Sequence, residues 1–155
     1  MTLKLTNLVA LFLLALVAGV FWGTSFTLTG SIETFSPAEF IHIGKTIIAN
    51  VAIPMSVIMP ATLFLMLVSL RQVRRMDRVS FYFYSLSFLL MVTTVIITVA
   101  VEVPIDNKIK SWTEATVPSN WESLRHTWAQ FHTMRTFTSI ASVGFFGWGI
   151  LKQIK

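Results

Sequence analysis

The sequence predicts an all-α integral membrane protein, a four-helix bundle that forms a single domain over residues 1–155. Hydrophobic residues make up 54% of the chain and charged residues 12%, whereas soluble domains have about 45–50% apolar and about 25% charged residues. The charges are also clustered, and they leave four apolar stretches between them. A helix needs about 20 such residues to cross a hydrocarbon layer about 30 Å thick. We therefore expect membrane-crossing helices at about residues 5–28, 46–70, 79–102 and 131–151.

The first two helices are bounded by charged residues and by a helix-start signal. The first lies between Lys4 and Glu33. The second crosses the membrane between Lys45 and Arg71 but is predicted to begin earlier, at residues 36–39 (SPAE). This stretch places serine at the N-cap, proline at the first helical position and glutamate at the third, which is the pattern of a capping box. We therefore expect an extramembrane start to helix two.

The third helix is predicted to run from Arg78 to Glu102 and to end before Pro104, since proline disfavours helical geometry in the preceding residue. Residues 105–107 (IDN) should then form a turn that folds back over the bundle, and a polar loop should lead to the fourth helix. Residues 119–122 (SNWE) repeat the capping signal. The fourth helix is therefore also predicted to begin outside the bilayer, near Asn120.

Positive charge is concentrated on one side of this bundle. The loop 71–78 carries four arginines, and Lys4, Lys152 and Lys155 belong to the same side. Six of the seven acidic residues lie on the other side. Because cytoplasmic segments of membrane proteins are enriched in lysine and arginine, both termini of this multi-pass protein are predicted to be cytoplasmic. The expected partner is the lipid bilayer; no nucleic-acid partner is expected, and homo-oligomerisation is left open.

The fourth helix carries an unusual stripe of polar and aromatic residues on one face. At about 100° per residue, its members fall within about 40° of a common line. They are Trp121, Arg125, Trp128, His132 and Arg135. An interfacial belt of tryptophans with snorkelling arginines is one interpretation, but a belt does not need a stripe four turns long. Arg135 precedes Lys152 by about 25 Å of helix, within the hydrocarbon layer, where an ionisable residue needs a partner and marks a candidate functional site.

Candidate partners for this stripe lie at a similar depth in other helices. Glu102 and Asp106 reach the same membrane boundary at the end of helix three, and Asn50 is matched in depth on helix two. The chain has no cysteine, which excludes disulfides, thiolate metal sites and cysteine nucleophiles. His42 and His132 are left as the weak alternative for a metal or haem site.

About a third of the chain carries a longer pattern. It consists of residues 101–113 (VEVPIDNKIKSWT) followed by Pro118, Trp121, Arg125, Trp128, Phe131, His132, Arg135 and Thr136. On these residues the chain resembles the anthrone oxygenase-like family of small four-helix membrane proteins. Members of that family commonly have two asparagines after the Pro-Ile pair, whereas the first of these positions is Asp106 here.

The resemblance implies oxidation of an anthrone to an anthraquinone by dioxygen without a metal or flavin, so no cofactor is expected. Such a reaction needs a base, cations for the resulting oxyanion and a dry aromatic pocket. His132 or Asp106 would be the base, His132 being preferred, and Arg125 and Arg135 the oxyanion partners. The substrate would be a flat apolar aromatic molecule of anthrone or quinol type. Residues expected to bind it are Asn107, Trp112, Trp121, Trp128, Glu102 and Asn50.

Two other interpretations of the same residues stay open. The polar cluster can be a structural clasp between helices three and four, in a non-catalytic binding or assembly module. A haem or metal ion held by His42 and His132 is the other. A pocket lined by the stripe would favour the enzyme, whereas fully paired charges without a cavity would favour the clasp.

Overall fold

A computed structural model describes residues 2–74 and 76–153 of the chain and gives an all-α protein, which confirms the predicted fold class. Four antiparallel rods form the bundle, and the third rod contains two α-helices joined by a π-helical turn. The elements are α1 (Leu3–Thr24) with a π-helical turn (Ser25–Thr29), a 3₁₀ turn (Ile32–Thr34), α2 (Pro37–Val73), α3 (Arg78–Ile97), a second π-helical turn (Thr98–Glu102), α4 (Val103–Ser111) and α5 (Trp121–Gln153).

The two ends of the bundle differ in charge. One end, called the basic end here, holds Lys4, the turn between α2 and α3, and Lys152. The opposite end, called the acidic end, holds the connections at residues 30–36 and 112–120. Arg75 and Lys155, which contribute to the predicted charge asymmetry, lie outside the described residues.

Both predicted helix starts are in place. The Ser36 hydroxyl accepts a hydrogen bond from the Glu39 backbone N–H at 3.4 Å, and the Ser36 N–H donates to Glu39 Oε2 at 2.8 Å. The predicted capping box of α2 is therefore confirmed. Helix α5 begins at Trp121, next to the predicted start at Asn120.

Asp77 caps the next helix in the turn at the basic end. Its carboxylate accepts hydrogen bonds from the backbone N–H groups of Val79 at 3.2 Å and Ser80 at 2.9 Å. Hydrogen bonds from the Ser80 side chain and backbone hold the pKa of Asp77 below its ordinary value. The cap therefore keeps its charge at neutral pH and fixes where α3 begins.

The expectation that Pro104 ends the third helix is wrong. The chain passes from α3 through the π-helical turn Thr98–Glu102 into α4, and Pro104 lies in the first turn of α4. Proline is tolerated in a first turn because the N–H that it lacks has no intrahelical partner there. In the preceding π-helical turn, backbone N–H groups bond to the carbonyl five residues earlier instead of four, which changes the hydrogen-bond register just before Pro104. Residues 105–107 are consequently helical, and the polar connection to α5 begins only at Trp112.

The interior of the bundle contains both apolar and polar side chains, whereas many large apolar side chains are exposed, as expected for a protein in lipid. Among the described residues, three stretches are long and apolar enough to cross a membrane, namely Leu3–Thr29, Pro37–Val73 and Arg78–Ser111. The predicted fourth crossing, 131–151, lies in α5, which is not among those three. Its buried face contains the polar residues Thr136, Ser139 and Ser142 together with Phe146 and Gly149, and its exposed face is apolar, with Met134, Phe137, Ile140, Trp148 and Leu151.

Toward the basic end, α3 and α5 are joined by a ladder of small polar residues. The Ser80 hydroxyl donates to the Gly149 carbonyl at 2.9 Å. One step further, Ser87 and Ser142 each donate to the other's backbone carbonyl, at 2.7 and 2.8 Å. Such small residues let helix backbones approach closely in a membrane. This half of the molecule is thereby tightly packed.

Candidate functional site

A cavity of about 380 Å³ lies among the four rods, toward the acidic end. Small-molecule sites commonly measure about 300–1,000 Å³. Its walls are mainly apolar side chains of α1, α2 and α3. Among the described residues, the ionisable side chains that line it are Asp106, His132 and Arg135, all on the side formed by α4 and α5. The cavity therefore has a long apolar part and one polar end.

Arg135 is held at this polar end by groups from the first and third rods. Its Nη2 lies 2.8 Å from Glu102 Oε2, and Nη1 donates to Thr98 Oγ1 at 3.4 Å. The guanidinium carbon lies 4.4 Å from the ring centroid of Phe21. Arg135 is 8% exposed and Glu102 is completely buried. Arg135 of the stripe and the carboxylate of Glu102 thus meet inside the bundle, and each buried charge is compensated by the other.

Arg135 also fixes the tautomer of His132. Its Nη2 and Nε lie 2.8 and 3.3 Å from His132 Nδ1, and because a guanidinium has only donors, Nδ1 must accept. The ring proton is then on Nε2, which donates to the Phe21 carbonyl at 3.2 Å. The imidazole is stacked on Trp128, with centroids 4.8 Å apart and planes 13° apart. Both nitrogens of His132 are therefore engaged by the protein.

Two carboxylates of the third rod lie at the polar end. Glu102 and Asp106 are four residues apart, so they lie on one face of the helix; Glu102 pairs with Arg135, and Asp106 lines the cavity with Arg135. Glu102 does not line the cavity, whereas Asp106 is partly exposed and does. Trp128 lines the cavity together with Asp106. Asp106 is consequently the carboxylate that a bound molecule would meet.

Arg125, predicted as a second oxyanion partner, does not line the cavity. Its Nη2 lies 2.6 Å from Glu33 Oε2, and Nη1 donates to the Phe35 carbonyl at 3.0 Å. Its guanidinium lies over the ring of Trp121, 4.7 Å from the centroid. These contacts join α5 to the connection between α1 and α2 at the acidic end. Arg125 therefore acts as a clasp in this structure.

The three predicted stacking tryptophans occupy different places. Trp128 lines the cavity. Trp112 is buried in the neighbouring hydrophobic cluster, and its carbonyl accepts a hydrogen bond from Lys45 Nζ at 2.7 Å. Trp121 packs against Phe40, with ring centroids 5.9 Å apart. Trp112 and Trp121 thus support the acidic end without lining the cavity.

The remaining predicted residues lie on the surface. The Asn107 side chain is exposed, and its Oδ1 accepts a hydrogen bond from Lys110 Nζ at 3.3 Å. Asn50 is exposed on a groove between α1 and α2, and it donates to the Thr46 carbonyl at 3.0 Å. His42 is also exposed, and it does not line the cavity with His132. Within the described ranges no group of three or more histidine, cysteine, aspartate or glutamate residues is arranged to hold a metal.

Three residues that no sequence pattern indicated also make contacts with the stripe. Phe21 contributes a ring and a backbone carbonyl, and Thr98 contributes a hydroxyl inside a π-helical turn. Neither residue type is distinctive in a membrane helix. Glu33 was used only as the boundary of the first helix, although an acid beside an apolar span is a natural partner for Arg125.

Comparison with known proteins gives a family. The family model described as Anthrone oxygenase matches residues 45–145, which includes α4 and the stripe of α5. No curated protein and no solved structure matches the chain significantly.

Proposed function

Because this chain belongs to the anthrone oxygenase family, we propose that it is a membrane-embedded enzyme that oxidises a flat apolar aromatic molecule, of anthrone or quinol type, with dioxygen. The observation that carries this proposal is the apolar cavity ending at Asp106, His132 and Arg135. A cavity was the feature expected of an enzyme, and a clasp alone does not need one. The Arg125–Glu33 pair can serve as a clasp outside the cavity.

The reaction begins with loss of a proton from the methylene group of the anthrone to a base. The resulting anion carries its charge largely on the oxygen of the former ketone, and it transfers one electron to dioxygen. The two radicals join in a carbon–oxygen bond, and the peroxide takes up a proton. Removal of the second methylene proton then breaks the oxygen–oxygen bond and gives the new carbonyl and water. In total the carbon loses four electrons, and one dioxygen yields one carbonyl oxygen and one water.

Asp106 is proposed as the base of this chain, which sets it apart from family members that have asparagine at this position, and Arg135 is proposed as the partner of the oxyanion. Asp106 lines the cavity with a carboxylate, whereas the lone pair of His132 is directed at Arg135. His132 is then a positioning residue, which holds the guanidinium at the end of the cavity together with Glu102. A cation fixed where negative charge develops stabilises the transition state without reorganisation.

No cofactor is part of the proposal, because the anion of an anthrone is itself electron-rich enough to reduce dioxygen. The protein supplies the base, the cation and an apolar site that excludes water. The neutral walls also stabilise a flat aromatic ring system by contact. Trp128, stacked on His132, presents such a surface beside the polar end.

The proposed topology has four crossings, with both termini in the cytoplasm. The apolar exposed face of α5 supports its crossing, since lipid meets that face while the polar face is buried. The basic end, with Lys4, Arg71, Arg74 and Lys152, would face the cytoplasm. The site then lies in the leaflet opposite the cytoplasm.

An assay in lipid nanodiscs tests the activity. The protein should oxidise an emodin-anthrone-type substrate faster than the spontaneous reaction, with one dioxygen consumed for each anthraquinone formed. Asp106→Asn should lower kcat by about 10²–10⁴-fold, the usual effect of a general base, with an unchanged melting temperature. Glu114→Gln makes the same chemical change at an exposed loop residue and should leave the rate unchanged. A wild-type rate equal to the spontaneous one would sink the proposal, and full activity of Asp106→Asn would remove the assigned base.

A further inference from the structure

The cavity has a side opening between α2 and the third rod. Six residues both line the cavity and are exposed on the surface of the bundle. One of them, Val20 of α1, lies on the groove between α1 and α2. The other five form the rim of an opening, and they are Ala52, Ser56 and Pro60 on α2, and Val99 and Val103 on the third rod. Each set is spaced by four residues and therefore occupies one helix face. We call this opening the lateral window.

The helices that frame the lateral window are in contact on both sides of it. At the acidic end Gly44 of α2 approaches Ile109 of α4 so closely that a Cβ on Gly44 would lie 3.1 Å from Ile109 Cγ2. At the basic end α2 ends at Val73 and α3 begins at Arg78, so the short connection keeps the two helices side by side. Between these contacts the facing side chains are short on both helices. The gap is thus bounded at both ends and open in the middle.

The lateral window lies at the depth of the hydrocarbon layer. Ser56 is about 26 Å along α2 from Val73, at 1.5 Å per residue, and the layer is about 30 Å thick. The neighbouring surface residues Ile53 and Val57 are 76% and 65% exposed, as lipid-facing side chains are. A molecule that passes through the lateral window therefore arrives from lipid.

We infer that the lateral window is the route by which a flat apolar molecule dissolved in the bilayer reaches the polar end of the cavity. The identity of this molecule rests on the proposed function. The cavity narrows the choice, since Asp106 and Arg135 stand opposite the apolar walls. A ring system with one oxygen-bearing end satisfies both parts, whereas an acyl chain would place only methylene groups beside Asp106 and would offer no acceptor to Arg135.

Photolabelling tests the route without any turnover. A phenyl diazirine dissolved in the bilayer of nanodiscs is activated by light, and labelled residues are located by mass spectrometry. In the wild type the probe should label Met55, a buried residue of the cavity wall, as well as exposed Phe64. Val99→Trp should lower labelling of Met55 at least tenfold. Labelling of Phe64 should stay constant.

Matched variants distinguish the lateral window from other routes. Ile96→Trp adds the same side chain at an exposed position of α3 that does not line the cavity, and it should leave Met55 labelled. If Val99→Trp does not fold, Ser56→Trp repeats the comparison on α2, with Val57→Trp as its control. Gly23→Trp fills the other groove, between α1 and α2, and it should also leave Met55 labelled.

Three results would overturn the inference. They are an unlabelled Met55 in the wild type, wild-type labelling in both Val99→Trp and Ser56→Trp, and loss of labelling in Gly23→Trp alone. The last result would assign the route to the other groove. Because the probe is inert toward oxidation, these outcomes are independent of the activity assay. A protein that admits the probe but oxidises no anthrone would disprove the proposed function and leave the lateral window in place.

Discussion

The two halves of this bundle use the same helices in opposite ways. Toward the basic end, α3 and α5 are held together by the Ser80–Gly149 and Ser87–Ser142 hydrogen bonds, and little space is left between them. Toward the acidic end, large side chains and a buried ion pair separate the rods around a cavity. In the first half, small residues at the contact between α3 and α5 permit close approach. The second consists of charged and aromatic residues that keep the rods apart.

This difference indicates that the two halves have different roles. The tight half can supply stability to a half that contains costly buried charges and empty volume. Removal of a buried charge should therefore cause a large loss of stability in the cavity half, and a steric change should cause a large loss of stability in the tight half. Three substitutions, each with a matched control, test this difference between the halves.

Arg135→Met should cause the largest loss of stability. It leaves Glu102 buried without a counter-charge, a change that costs about 3–5 kcal/mol of unfolding free energy. Unfolding in mixed detergent micelles measures the loss. Arg125→Met makes the same change on the same helix, but Glu33 is half-exposed, so it should cost about 1 kcal/mol or less. Equal losses in the two variants would contradict a special cost at the cavity.

Gly149→Ala should be the next most damaging. A Cβ at this position would lie 2.5 Å from the ring of Tyr84, and overpacking of a tight contact costs about 1–3 kcal/mol. At Gly147 a Cβ would meet no atom within 4 Å. Gly147→Ala should thus be neutral or stabilise the helix by up to about 1 kcal/mol. The comparison fails if the two alanines have the same effect on the melting temperature.

Ser87→Ala should have the smallest effect of the series. It removes hydrogen bonds to Ser142 across the tight half, and a buried hydrogen bond contributes about 0.5–1.5 kcal/mol. Ser85 bonds only within its own helix, to the Phe81 carbonyl, so Ser85→Ala is the control. Activity per folded molecule should be unchanged in both. A loss of activity in Ser87→Ala would show that the two halves are not separate.

Much of the fold follows from hydropathy and capping signals in the sequence. Charge spacing identified the helices, and Ser36 with Glu39 identified the start of α2. The continuation through Pro104 was missed because it depends on a π-helical turn, a local choice of hydrogen-bond register that a proline rule does not include. Sequence patterns describe helix faces better than they describe such changes of register.

The site was predictable only in part, for a related reason. Helical periodicity placed Trp128, His132 and Arg135 on one face, and membrane depth suggested Glu102 or Asp106 as partners. Which of them would line the cavity depends on how four rods pack, and one sequence does not contain that information. Arg125 shares the same face, yet it lies far enough toward the acidic end to meet Glu33 instead.

The most direct test of the central claim is a structure of the protein with an anthraquinone, the proposed product, in lipid nanodiscs. We expect a flat molecule in the cavity, with one carbonyl oxygen within about 3 Å of the Arg135 guanidinium and the opposite ring carbon next to Asp106. An anthraquinone bound elsewhere, or bound in the cavity with both oxygens away from Arg135, would contradict it.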